Sequence, residues 1–417
     1  MNQNELFSMG LGLAAPWKVV GSELREEAGG GKVLALEIDF EPGARFACPE
    51  CGEMCPVHDT SRRRWRHLAF WQHETVLGAR VPRVRCGEHG VRQAAVPWAR
   101  EGSGFTLMFE AFAMMLCAEM PVAAAARMVG EHDTRLWRVV RHHVDGAHGR
   151  QDWSGVDTVA VDETATRKGQ RYATVVVDID RKGEGGARLL FMTPERTASC
   201  VGEFAAAMGA HGAVPEQVGL AAIDMSPAYK RGIAEHLPLA EVVHDRFHVA
   251  QMAGKAVDEV RKQLVREGAD MRGSLWALRG NVANLREEQR ARREELCARY
   301  GRIGRALGLR EALQAVWERP DRASGGQELA AWRAWACRSR LEPFRKLART
   351  IKEHWEGILA YFPDRITSAA IEAVNGLIQT ARRRARGYRN FENLRAICYW
   401  MAGNLDLQLP WSFAHIK

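Results

Sequence analysis

The sequence predicts a mixed α/β multidomain chain. Three observations carry this: cysteine-rich knuckles near the N-terminus, β-branched runs after residue 150 that end in carboxylates, and a long helical stretch behind them. At 417 residues the chain is long enough for two to four domains. Hydrophobic residues make up 46% and charged residues 26%, which excludes a disordered or fibrous chain. The 59 Lys and Arg exceed the 51 Asp and Glu to give +8, with a sequence pI near 9.1, a mild bias towards polyanionic partners.

The most apolar stretch, Phe105 to Ala126, is broken by Glu110 and Glu119, so it predicts a buried helix pair and not a membrane span. The N-terminus has no basic run before its apolar residues and carries Glu5, so no secretory signal is expected. Nine cysteines, an odd number with several at metal-ligand spacing, fit a reducing compartment better than a disulfide framework. A cytoplasmic location follows as an expectation.

Residues 1–100 read as a zinc-binding module. "CPECGEMCPVH" and "RCGEHG" supply Cys48, Cys51, Cys55, His58, Cys86 and His89, more ligand-type side chains than one zinc ion uses. Cys48 with Cys51 and Cys86 with His89 each form a two-residue-spaced pair followed by Gly52 or Gly90, where glycine relieves the tight knuckle turn. The β-like segment Thr75 to Arg85 would return the chain so that the two knuckles face each other. The competing set Cys48, Cys51, Cys55 and His58 would close within a very short loop, and free core thiols fit poorly beside Pro49, Glu50 and Glu53. Between the knuckles, Arg62, Arg63, Arg64 and Arg66 flank Trp65, a pattern suited to phosphate contact or to a solvated loop.

Residues 101–150 read as a helix-turn-helix: a helix from Val122 to Val129, a turn through Gly130, and a second helix near Thr134 after an Asp133 cap. Arg135 and Arg138 are expected outward, as DNA contacts, with Leu136, Val139 and Val140 inward.

Residues 151–249 carry strand-like runs near 156–161, 172–179, 187–192, 218–223 and 241–243, with a turn around Lys168 and Gly169 and a helical stretch at 201–211. Three neighbouring strands, a helix and two more strands fit the mixed sheet of an RNase-H-like fold. Asp162 ends one run, and Asp224 ends another where Ser226 and Pro227 open a helix. Residues 250–349 read as a helical insertion whose Trp276, Trp317, Trp332 and Trp335 would pack a small core of their own. Residues 350–417 return to the core, where Ile371, Val374 and Ile378 recur at helical spacing and place Glu372 on a helix.

Asp162, Asp224 and Glu372 together resemble a two-metal nuclease centre. Phosphodiester cleavage must stabilise an attacking and a leaving oxygen, which two divalent ions about 3.5–4 Å apart can do. Hard carboxylate oxygens suit magnesium. An Asp at a strand end is also commonly a cap or turn residue. Glu163 should point away from the site if Asp162 points in.

Strings along the chain, among them "RFACPECG", "WRHLAFWQHE", "VPRVRCGEHGVRQ", "GEHDTRLWRVV", "VDETATRKGQRYATVVVD", "AIDMSPAY", "VVHDRFHVAQ" and "RRRARGYRNFENLR", resemble a bacterial insertion-sequence transposase of the ISL-three type. One departure is His89, where such proteins often have a fourth cysteine; histidine also ligates zinc. The resemblance implies that Asp162, Asp224 and Glu372 are the catalytic, metal-binding triad, with Mg²⁺ or Mn²⁺ there and structural Zn²⁺ at Cys48, Cys51, Cys86 and His89. It places the second acid at Asp224, which leaves Asp245 in "HDRFH" as a helix cap or positioning residue. The expected activity is binding of terminal inverted repeats, followed by DNA cleavage and strand transfer. Arg382, Arg383, Arg384, Arg386 and Arg389 would hold the backbone of double-stranded DNA, with the protein working as a homodimer or larger assembly near the nucleoid. A transposase-derived regulator without catalysis and a structure-selective nuclease on the same fold are the alternatives.

Overall fold

The computed structural model describes every residue except Met1, 27–30, 168–170, 180–185, Asn281, 367–368 and 410–417. The turn expected around Lys168 and Gly169 therefore lies outside the described residues. The chain forms two compact units, Met1–His143 with Leu407–Lys417, and Val144–Asp406.

In the first unit, α1 (Gln3–Gly10) starts at a capping box between Asn2 and Glu5. Six strands follow: β1 (Trp17–Glu26), β2 (Lys32–Phe40), β3 (Arg45–Ala47), β4 (Met54–Phe70), β5 (His73–Cys86) and β6 (Gly90–Gln93). They run in the order β1-β2-β5-β4-β3, with β6 on β5. The β1–β2 hairpin was not anticipated, although Leu34, Leu36 and Ile38 alternate inward as a half-buried strand requires. The arginine-rich segment is not a loop: Arg62 to Arg66 lie in β4, paired with Arg80 to Val76 of β5, and the strand turns Trp65 into the core. Behind the sheet come α2 (Leu107–Glu119), capped by Thr106, and α3 (Val122–Met128). A turn at Gly130, with φ +68°, leads to α4 (Asp133–Gly149). Leu136, Val139 and Val140 are buried, as helix-turn-helix packing requires.

In the second unit, β7 (Thr158–Arg167), β8 (Arg171–Asp178) and β9 (Arg188–Thr193) form an antiparallel meander. Helix α5 (Ser199–Met208) leads to β10 (Leu220–Ile223), and α6 (Pro227–His236) to β11 (Glu241–His244). The sheet order is β11-β10-β7-β8-β9, with β7, β10 and β11 mutually parallel. Parallel neighbours need crossovers, which these helices supply. Strand alternation sends Val159, Val161, Ala221 and Ile223 to the α5 and α6 face, so their even-numbered neighbours Ala160, Asp162, Ala222 and Asp224 share the other.

Helices continue as α7 (Arg246–Arg266), α8 (Ser274–Arg279), α9 (Glu287–Arg299), α10 (Gly301–Ala315), α11 (Arg322–Arg338), α12 (Glu342–Glu353), α13 (Trp355–Leu359), α14 (Tyr361–Asp364), α15 (Ala369–Arg384) and α16 (Phe391–Ala402). Their core is not separate from the sheet: Leu220 and Val243 belong to the same buried cluster as Trp317, Trp332, Phe344 and Phe362. Trp276 and Trp335 are exposed, contrary to expectation. A helix turns residues to every side, so an aromatic alone does not mark its inner face.

Candidate active site and metal centres

The knuckle residues come together as the sequence predicts. Cys48, Cys51, Cys86 and His89 hold their ligand atoms within 4.8 Å of one another. Cys51 Sγ lies 3.7 Å from Cys86 Sγ, and His89 Nδ1 lies 3.6 Å from Cys86 Sγ and 3.9 Å from Cys48 Sγ. A zinc tetrahedron with Zn–S of about 2.3 Å and Zn–N of about 2.05 Å has S–S and S–N edges of about 3.8 and 3.6 Å, so the donor set fits the ion. Positive φ at Gly52 (+77°) and Gly90 (+68°) makes both knuckle turns, and Gly52 N–H closes the first on Cys48 C=O. Backbone N–H groups of Cys51 and Glu50 pull the Cys48 thiol below its ordinary pKa, which favours the ligating thiolate. Cys55 is turned to Glu53 C=O, and His58 to Arg85, so the competing set is not assembled.

In the second unit, register brings the acids together. Val161 of β7 pairs with Ile223 of β10, and Ile223 with His244 of β11, so Asp162, Asp224 and Asp245 follow at the same level on three adjacent parallel strands. All three line one recess with His248. The small side chains of Ala160 and Ala222, two residues before each aspartate on the same face, leave the space, and Ile366 and Ile371 wall it.

Each carboxylate is held. Asp162 Oδ1 accepts from Glu163 N–H at 2.8 Å and Oδ2 from Asn375 Nδ2 at 2.9 Å. Asp224 Oδ1 accepts from Ser226 N–H at 2.8 Å, and the buried His244 bonds the Asp224 carbonyl while its other nitrogen meets His354. Asp245 caps α7 through Phe247 N–H and binds His248 Nδ1 at 3.0 Å. Burial pushes the Asp162 carboxyl up, with the Asp224 charge adding to it. Asp245, followed by the more distant charges of Asp162 and Asp224, raises the His248 pKa. Two half-buried carboxylates side by side favour a counter-cation. Asn375, whose Nδ2 donates to Asp162, keeps its Oδ1 buried without a hydrogen-bond partner. The carboxylate pair fits a divalent ion of the magnesium type.

Glu372 does not line the recess. It is exposed on α15 and borders an adjoining cavity of ≈ 700 Å³ with Arg246 and Phe247. Asn375 stands one turn further along the same helix, so the acid is a helical neighbour of the amide that holds Asp162. Glu163 points to the opposite side and pairs with Arg196. Asn375 was missed by sequence reasoning; its spacing of three from Glu372 was the available signal. The alignment of Asp245 with the other two aspartates depends on long-range register, which no local pattern encodes.

The arginines divide. Arg62, Arg63, Arg64, Arg138, Arg383, Arg384, Arg386 and Arg389 are exposed. Arg66, with 11% of its side chain exposed, turns inward to Glu74 and the Phe109 ring. Arg135 lies over Phe105 and pairs with Glu131. Arg382 donates to Ala165 C=O at 2.6 Å. Arg66 is thus turned into the fold, whereas Arg135, with 41% of its side chain exposed, and the half-buried Arg382 are engaged by neighbours in this conformation.

Comparison with known proteins places this architecture. A family model described as a transposase matches residues 159–398, one for the helix-turn-helix domain of transposase family ISL3 matches 94–144, and one for the zinc-finger of transposases IS204/IS1001/IS1096/IS1165 matches 44–89. The transposase for insertion sequence element IS1001 of Bordetella parapertussis is 31% identical over 374 residues, covering 86% of this chain and 89% of that protein. The transposase for insertion sequence element IS1557 of Mycobacterium tuberculosis is 28% identical over 435 aligned positions, covering 95% of each chain. Among the described residues no helix is long and apolar enough to cross a membrane.

Proposed function

Because this chain belongs to the ISL3 family of insertion-sequence transposases, we propose that it binds the terminal inverted repeats of an element, cleaves the DNA there, and joins the freed 3′-hydroxyls to target DNA. The observation that carries this reading is the side-by-side placement of Asp162 and Asp224 in one recess, with Asn375 from the helix of Glu372 bonded to Asp162.

Asp162 and Asp224 would hold Mg²⁺ or Mn²⁺, with Glu372 as the third acid. The ions, when bound, would stabilise charge on the attacking and leaving oxygens in both cleavage and strand transfer. The protein's own part is placement. Asn375 and Glu163 N–H fix the Asp162 carboxylate, Ser226 N–H fixes that of Asp224, and Ile366 and Ile371 limit water around both. His248, held by Asp245, lies beside the acids with its imidazole pKa raised by that carboxylate. The exposed Arg383, Arg384, Arg386 and Arg389, at and beyond the end of the Glu372 helix, are suited to phosphate oxygens. A zinc module built on Cys48, Cys51, Cys86 and His89 and the helix-turn-helix would read the element ends. Joining two ends calls for a dimer or larger assembly on DNA in the cytoplasm.

The test uses duplex carrying the terminal repeat, read from the genomic flanks. Asp162→Asn and Asp224→Asn should abolish Mg²⁺-dependent cleavage and leave binding of that duplex unchanged. Cleavage at the wild-type rate by either variant would overturn the assignment.

A further inference from the structure

Beside the acid recess, α7, α8 and α10 enclose a groove of ≈ 530 Å³ that shares Phe247, Ala250 and Gln314 with the ≈ 700 Å³ cavity bordered by Glu372. Both volumes lie in the range of about 300–1,000 Å³ common for small-ligand sites. Phe247 is the second residue of α7, between Asp245 and His248 at the acid recess and the open groove, and it is 52% exposed. An apolar ring left so open beside a polar centre presents a free face to a ligand.

The far wall has a different deficit. The Arg310 side chain is only 5% exposed. Its Nη atoms donate to the carbonyls of Leu278 and Gly280, while its Nε is buried without a partner. The carboxylate of Glu311 is 3.9 Å away and is already engaged by Arg293, so two guanidinium groups share one acid. Lys255 and Arg279, both exposed, add positive charge to the same groove. Against them stand Asp258 and Glu259, which are paired with Lys262. The groove thus offers a stacking surface at the end near the acids and an under-neutralised buried cation along its wall.

We propose that this groove is a nucleotide subsite. It takes an unpaired nucleotide of the DNA strand beside the acids, stacks the base on Phe247, and sets a phosphate towards Arg310 with Lys255 and Arg279 around it. Base on aromatic ring and phosphate on guanidinium is the chemistry of single-strand recognition, and it is sequence-tolerant because every base has a π-face. The inference rests on the DNA-processing reading above and adds where the strand runs.

The test uses the full chain without divalent ions, and duplex carrying the terminal repeat with a short single-stranded extension that contains 2-aminopurine. Wild-type protein should quench the 2-aminopurine. Phe247→Ala should lose the quenching and bind the extended probe about 5- to 150-fold more weakly, the range expected for one lost base stack. Lys255→Glu with Arg279→Glu should weaken binding more as salt falls, since the lost contacts are ionic. All three positions are exposed, so the melting temperature should stay at the wild-type value, and affinity for blunt duplex should not change. Variants that bind and quench like wild type would overturn the subsite, as would displacement of the probe by an equal concentration of free dAMP. The two readings fail separately. Cleavage by Asp162→Asn would sink the catalytic assignment and leave these binding results standing, whereas a dead Asp162→Asn beside unaffected groove variants would sink only the subsite.

Discussion

Replacing Asn375 with alanine removes a side-chain hydrogen bond that ties the helix of Glu372 to Asp162, the 2.9 Å contact from Nδ2 to Oδ2. A hydrogen bond to a charged group contributes about 1.5–3 kcal/mol, and loss of a group that orients a metal ligand typically costs about 10–100-fold in affinity or activity. Single-turnover cleavage at subsaturating Mg²⁺ should therefore fall about 10–100-fold, and the Mg²⁺ concentration for half-maximal rate should rise. Calorimetric titration with Mn²⁺ in the absence of DNA should show the same weakening. The pH dependence gives a second readout. Burial already raises the Asp162 pKa, and the Asn375 N–H opposes that rise. Without it the carboxyl shifts further up, so the acid limb of the rate profile, where Asp162 becomes protonated, moves to higher pH. Thr380→Ala, on the exposed side of the same helix, should change none of these. An Asn375→Ala protein with wild-type metal affinity, rate and pH profile would show that the contact orients nothing.

Cys86→Ser should abolish stoichiometric zinc measured by atomic absorption and lower the first melting transition, whereas Cys55→Ser and His58→Ala should keep the metal; the reverse pattern would select the competing ligand set. Acid should destabilise the Val144–Asp406 unit through His148, which burial holds at a pKa of about 4 against an ordinary 6.5 while it bonds Leu190 C=O and stacks on Tyr399. Because the unfolded chain binds the proton more readily, this contribution is complete above pH 6.5 and is lost as pH falls towards 4, on the order of 3 kcal/mol. Urea midpoints measured from pH 7 to 4.5 should fall, and His148→Phe should flatten the slope; an unchanged slope would refute the linkage.

The clustering of Cys48, Cys51, Cys86 and His89 was legible because each knuckle is a local pattern, a ligand-type pair followed by a glycine that takes positive φ. Strands β7 to β11 were legible for the same reason, as β-branched runs bounded by turn residues. What local pattern does not carry is register between distant strands. The level placement of Asp245 with Asp162 and Asp224 and the bond from Asn375 across 213 positions both arise there. The side a charged residue faces was also hidden. Arg66, Arg135 and Arg382 look on paper like their exposed neighbours, yet each is engaged by an acid, a ring or a carbonyl of the chain. Trp276 and Trp335 err in the other direction, apolar residues left in water.

Order along the chain has a consequence for synthesis. Ribosomes deliver the zinc knuckles and helix-turn-helix first, then both strand-end aspartates, and only after the whole helical segment the stretch bearing Glu372 and Asn375. A polypeptide released after the helix-turn-helix but before residue 369 carries the two modules assigned to reading the element ends and lacks the last partners of the acids. Under the proposed reading, truncation by frameshift or early stop would turn the gene's product into a competitor that occupies element ends without cutting them, a brake on mobility that needs no separate repressor.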